Sequence, residues 1–244
     1  MSSAWRLDEI TALLDAAPLK THETEVRRDL AALGVHPTLV ELLAPLYATA
    51  DGATFFGGRL RLHPLHGDPE HGLPDVAGWN DRDDWQRFEP RKVNGTFYFA
   101  SNAFGDQLGI PVDAEGAVLF DRVGVLWVER YTYQEAKIPW RDFFARLAGD
   151  ASIASFFLRM AEHDWAAESL GTPAPWQCFS SNVPVLLGGP DTLENVAIQP
   201  MAVHVSFTLQ VIDQAQHQAS AGAPLPMVDL RETDEPSGSP EKGS

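Results

Sequence analysis

Cysteine is nearly missing: Cys178 stands alone in 244 residues. One thiol excludes a disulfide within the chain and a zinc site built on cysteines, and such usage fits a reducing cytoplasm. Basic residues are scarce as well. Eighteen Lys and Arg face 34 Asp and Glu, which leaves a net charge of -16 and an isoelectric point near 4.7. A body this acidic repels DNA, RNA and anionic lipid, so neither nucleic acid nor a membrane is an expected partner. The same charge serves solubility and also suits a basic protein partner. No window approaches the roughly 18 uninterrupted apolar residues of a membrane span. The opening "MSSAWRLDEITALLDAAP" lacks a basic stretch followed by an apolar run, and so does not read as a secretory signal.

Other absences narrow the chemistry. No Ser lies in a G-x-S-x-G elbow. The Gly pairs at 57–58 and 188–189 carry neither a P-loop Lys-Ser/Thr nor a dinucleotide fingerprint, and read as turns. There is no internal repeat. The only basic interleaving, "QRFEPRK" at 86–92, is cancelled by Asp81, Asp83, Asp84 and Glu89.

Large aromatics are abundant, with 7 Trp and 13 Phe, and 244 residues suffice for a sizeable core. The first 50 residues have helical spacing. Leu7, Ile10, Leu13 and Leu14 form one stripe, and Val26, Leu30 and Leu33 another, with Thr21 as a candidate cap. Pro37 suits a first helical turn, and Pro45 is expected to end or kink that helix. From residue 51 the period changes. Leu60 and Leu62 alternate, and strands are expected in "TFYFAS", in Ala117–Asp121 and in Val123–Tyr131, separated by turns at 105–109 and 115–116. Residues 63–94 form a long loop that Trp79 and Trp85 pin to the body. Helices return after residue 138, and a closing helix is expected with Val203, Phe207, Val211 and Ile212 on its buried stripe.

This order predicts an α+β fold: N-terminal helices, a central antiparallel sheet of about four to six strands, and C-terminal helices packed on one side. Residues 1–150 make the core, 151–228 extend the same body, and 229–244 form a polar acidic tail that buries too little to order itself.

Three candidates for chemistry emerge. His63, His66, Asp68, Glu70 and His71 in "HPLHGDPEH" are metal-ligand types, but at no recognised ligand spacing. Asp106, after Phe104 and Gly105, is either a general base beside a turn or the cap of that turn. Cys178, between aromatics in "WQCFSS", reads as a buried, inert thiol.

"YATADGATFFGGRLRLHPL", "FYFASNAFGDQLGI", "GAVLFD" and "IPWRDFFARLA" together resemble landmarks of the SMI1/KNR4-like proteins, the SUKH superfamily, over roughly residues 10–150. The resemblance implies a non-catalytic protein-binding fold with no cofactor, and among bacterial members an immunity protein that neutralises a toxin. A regulatory or scaffold protein of the same type and a metal-dependent enzyme using the His63–His71 loop are the alternatives. On the immunity reading the expected contact residues are Trp79, Asp81, Asp83, Asp84, Trp85 and Asp106. Trp is a favoured interface anchor, and acids steer association.

Overall fold

The computed structural model describes residues 12–15, 21–90 and 95–220. The expected tail at 229–244 and most of the first helical stripe lie outside them. Of that stripe, Leu13 falls in a turn and Leu14 makes an isolated bridge to Phe55, so the described part is not helical.

The chain is α+β. Among the described residues two helices, α1 (Glu23–Ala32) and α2 (Pro37–Ala50), precede a sheet of six antiparallel strands in sequential order. The strands are β1 (Thr54–Phe55), β2 (Leu60–Leu62), β3 (Thr96–Asn102), β4 (Gln107–Pro111), β5 (Val123–Trp127) and β6 (Thr132–Ala136). A four-residue helix, α3 (Val76–Trp79), lies in the long loop between β2 and β3. Helices α4 (Phe143–Gly149), α5 (Ala151–Leu158) and α6 (Met160–Leu170) follow. A separate hairpin comes next, β7 (Gln177–Ser181) with β8 (Val196–Pro200), and then the long α7 (Met201–Ser220).

Local chemistry explains several boundaries. His36 caps α2 by accepting from the Thr38 N–H, with Pro37 in the first turn. Pro45 does not end α2, which continues to Ala50. Its missing N–H is tolerated because the helix is buried along most of its length, where packing outweighs one lost bond. Thr21 does not cap α1; His22 holds the cap position, without a side-chain bond. Asp150 caps α5, accepting from Ser152 and Ile153.

Strands β3, β4 and β5 are buried at every position, which a half-solvated sheet would not show. Helices therefore cover both faces rather than one. On the first face Phe97, Phe99, Ile110, Val125 and Trp127 meet α2, α4 and α5 in one apolar core. On the second face Tyr98, Leu126 and Val128 meet Trp79, Trp85 and the α7 residues Met201, Val205, Leu209 and Ile212.

Two expected elements shift. Residues 107–111 form strand β4 rather than a turn, while Ala117–Asp121 makes only a bridge from Val118 to Val112. The expected run Val123–Tyr131 breaks after Trp127, where Tyr131 takes a φ of 50° in a turn into β6. Glycine misleads here because Gly109 and Gly124 stand opposite each other within β4 and β5. Their missing side chains leave a trough for Thr96 and Tyr133, whose hydroxyls bond at 3.0 Å. Glycine in a strand often marks such a close approach.

A Cβ at Gly124 would overlap the Tyr133 hydroxyl oxygen and fall 2.5 Å from the ring carbon that bears it. Gly124→Ala is therefore expected to destabilise the protein by about 1–3 kcal/mol in urea unfolding. Tyr133→Ser in the same chain should recover part of that loss. A Gly124→Ala chain as stable as the parent would contradict the trough.

Candidate functional site

The corner between β3 and β4 is built on one amide. Asn102 Oδ1 accepts from the backbone N–H of Phe104 at 2.9 Å and of Asp106 at 3.1 Å. Its Nδ2 donates to Asp106 Oδ2 and to the Phe157 carbonyl, each at 3.0 Å. Gly105 supplies the positive φ, 74°, that the turn requires. Asp106 Oδ1 accepts from the Val128 N–H at 3.0 Å, and Arg159 Nη1 lies 3.5 Å from Oδ2. The Arg159 guanidinium also lies over the Phe104 ring at 3.9 Å. Burial raises the Asp106 pKa, while the charge of Arg159 and the bonds from Asn102 and Val128 oppose the rise.

Asp106 is thus 1% exposed and ties three segments together. The sequence reading places it among the contact residues; here it is buried, and its carboxylate is occupied within the turn by Asn102 and Val128. Next to it, Gln107 Oε1 accepts from Trp79 Nε1 at 2.8 Å and from His63 Nε2 at 3.0 Å. Ser180 Oγ lies 2.7 Å from His204 Nδ1. That pair resembles a nucleophile and its base, but both residues are at most 3% exposed, and the bond joins β7 to α7. Burial holds His63 down to about 3 and His204 down to about 4, so both imidazoles are neutral. Burial pushes the Cys178 thiol well up, as expected of an inert core cysteine.

The His-rich loop disperses its side chains. His63 stacks on Trp79 inside the core, with ring centres 4.6 Å apart. His66 is exposed, 3.6 Å from Asp29. His71 bonds Asp68 at 2.7 Å and stacks on Trp176. Among the described residues no three His, Cys, Asp or Glu converge as metal ligands.

Trp79 and Trp85, the expected anchors, are each 2% exposed. Their rings bury apolar area, and Trp85 Nε1 donates to the Trp79 carbonyl at 2.9 Å, so they pin the loop to the body rather than standing out from it. Asp81, Asp83 and Asp84 are exposed together in one tight turn. There Asp81 Oδ1 accepts from the Asp83 N–H at 2.9 Å, and its carbonyl from the Asp84 N–H at 3.2 Å. No described basic side chain pairs with any of the three. Arg82 lies against Gly95 instead, and Arg87 over the Phe88 ring.

Beside this turn runs a cavity of about 420 Å³. Pro69, Leu73 and Pro74 form one wall, Ala202 and Ser206 of α7 the other, with Trp79 and Trp85 behind and Asp84 at the rim. The two loops singled out in the sequence therefore converge on one groove. The α7 wall was missed because α7 carries two apolar stripes of similar spacing. Met201, Val205, Leu209 and Ile212 are buried; of the expected stripe, Val203 and Phe207 are exposed. His204 and Thr208 share the buried side of α7 and bond one another, and the bond from His204 to Ser180 of β7 holds that side inward.

No family model matches the chain, and no curated protein matches it. Among solved structures, Atu4351 from Agrobacterium tumefaciens has a TM-score of 0.49 and 12% identity, over 83% of this chain and 88% of that one.

Two outcomes follow from the buried polar groups. Asn102→Ala leaves the corner's N–H groups and Asp106 short of partners, and is expected to cost about 3 kcal/mol in urea unfolding. Unaltered stability would contradict the corner's role. The second outcome concerns pH. His63 and His204 fold with pKa values below their ordinary 6.5, so the unfolded chain binds protons that the folded chain does not. Their stabilisation is full above 6.5 and is lost as pH falls toward 4, by about 1.4 kcal/mol per pH unit for each group. Glu89, pushed by burial up to about 7, acts with the opposite sign between 7 and 4.5. Glu89→Gln should therefore steepen the loss of stability between pH 6.5 and 5. Denaturant titrations at several pH values check this, and an unaltered slope would contradict the assignment.

Proposed function

We propose that the chain is a non-catalytic protein-binding module of SUKH type, acting in the cytoplasm as an immunity protein against a basic toxin domain. The observation that supports this reading is the Asp81–Asp84 turn. Three exposed carboxylates, none paired with a basic side chain among the described residues, share a turn beside an open groove, in a loop that two buried Trp side chains hold in place. A net charge of -16 extends the same field over the whole body. Such a surface accelerates encounter with a cationic partner and rejects acidic ones, while a rigid loop avoids the entropy cost of ordering on contact. No helix among the described residues is long and apolar enough to cross a membrane.

The test is a pull-down of tagged protein from its native lysate, followed by kinetics with the partner recovered. Changing Asp81, Asp83 and Asp84 together to Asn should slow association about tenfold at low salt and flatten its salt dependence, with the melting temperature unaltered. An unaltered association rate would remove the steering role of the turn, and an acidic partner or none would overturn the immunity reading.

A further inference from the structure

Trp79 and Trp85 are buried at the back of the groove, so large apolar side chains that stand out from this face come from α7. On α7, Ala202 and Ser206 line the groove, and the next residues along the chain, Val203 and Phe207, are 57% and 60% exposed. Successive residues on a helix are about 100° apart, so Val203 and Phe207 continue the groove wall over the crest of α7. Asp84, exposed, lines the same groove, with Asp81 and Asp83 in its turn. Among the described residues no Lys or Arg lines the groove.

We propose that the groove, its acidic rim and the Val203–Phe207 crest form one contact face whose occupant is a cationic segment of a protein partner bearing aliphatic side chains. This deepens the protein-binding reading and rests on it. The cavity, at about 420 Å³, falls within the range of ligand pockets, about 300–1,000 Å³, and so admits apolar side chains from such a segment. Lys and Arg match the occupant twice over, since their aliphatic stems lie along apolar walls while their charged heads reach the rim carboxylates. A second copy of this chain fits poorly, because face-to-face pairing brings one acidic rim against the other. Nucleic acid and anionic lipid meet the same repulsion.

The experiment uses the full chain and two acetylated 14-residue peptides, one built on Lys-Leu-Ala repeats and one with Glu in place of each Lys. Binding is measured by calorimetry at physiological ionic strength. The Lys peptide should bind saturably at one site, and the Glu peptide should not bind. Phe207→Asp is the deciding variant. It adds negative charge, so diffuse attraction alone predicts tighter binding of the Lys peptide, whereas the contact face predicts binding at least tenfold weaker. Phe120→Asp, at an exposed aromatic elsewhere (58% exposed), adds the same charge and should leave the affinity within twofold. Both positions are exposed, so both variants should keep the parent melting temperature.

The proposal is overturned if Phe207→Asp binds as well as the parent or better, if Phe120→Asp weakens binding equally, or if the Lys peptide does not bind. It is also overturned if the parent chain self-associates through Phe207, which would assign the face to a second copy. Failure to recover a basic toxin from lysate, with peptide binding at Phe207 intact, would remove the immunity reading and leave the face. Recovery of a toxin whose affinity ignores Phe207→Asp would do the reverse.

Discussion

The carboxylate of Asp106 is the constraint on which the second half of the molecule depends. It lies within the sheet corner, accepts from Asn102 and Val128, and faces Arg159 between α5 and α6. A buried carboxylate without partners would neutralise or unfold its surroundings. Here the partners arrive from β3, from the end of β5 and from the helical region after residue 150, so the corner forms only when all three meet. Arg159 accepts a left-handed backbone, φ 51°, to reach it. The guanidinium then covers Phe104, which packs on Phe179 of β7. Glu129 extends the same connection, bonding both the N–H and the hydroxyl of Ser181. The β7–β8 hairpin and α7 are thereby seated on the second face of the sheet.

That seating explains why the second face tolerates polar side chains. Arg61, His63, Ser101 and Gln107 are all buried there or beside it. Gln107 satisfies His63 and Trp79 at once, and Ser101 bonds Met201 of α7. A polar interior of this kind specifies one arrangement of its covering elements wherever a donor is matched to a particular acceptor, as at Gln107 and Ser101. It also holds the Trp79–Trp85 loop in place, and with it the acidic turn and the groove.

The architecture was legible where one period dominated. Val26 and Leu30 announced α1, Pro37 opened α2, and Gly105 with Asp106 marked a corner. It was illegible where one residue type serves two purposes. Glycine signals a turn at 105 but a close strand approach at 109 and 124, and only the opposing Thr96 and Tyr133 distinguish them. The phase of α7 depended on hydrogen bonds to residues far apart in sequence, such as Ser180 with His204. The candidate site divided in the same way. The exposed acids Asp81, Asp83 and Asp84 follow from their charge, whereas Trp79, Trp85 and Asp106 were drawn inward by partners that no local pattern reveals.

Burial of the two Trp residues transfers the apolar part of the surface to α7 and leaves the loop as its acidic rim. Hydrogen–deuterium exchange of the full chain, alone and saturated with the protein partner captured from its native lysate, tests this most directly. Added protection is expected at 69–85 and at 201–207, with the β6 edge and the Ala117–Asp121 segment unaltered. Protection confined to β6 or to that segment, with the groove exchanging as in the free chain, would contradict it.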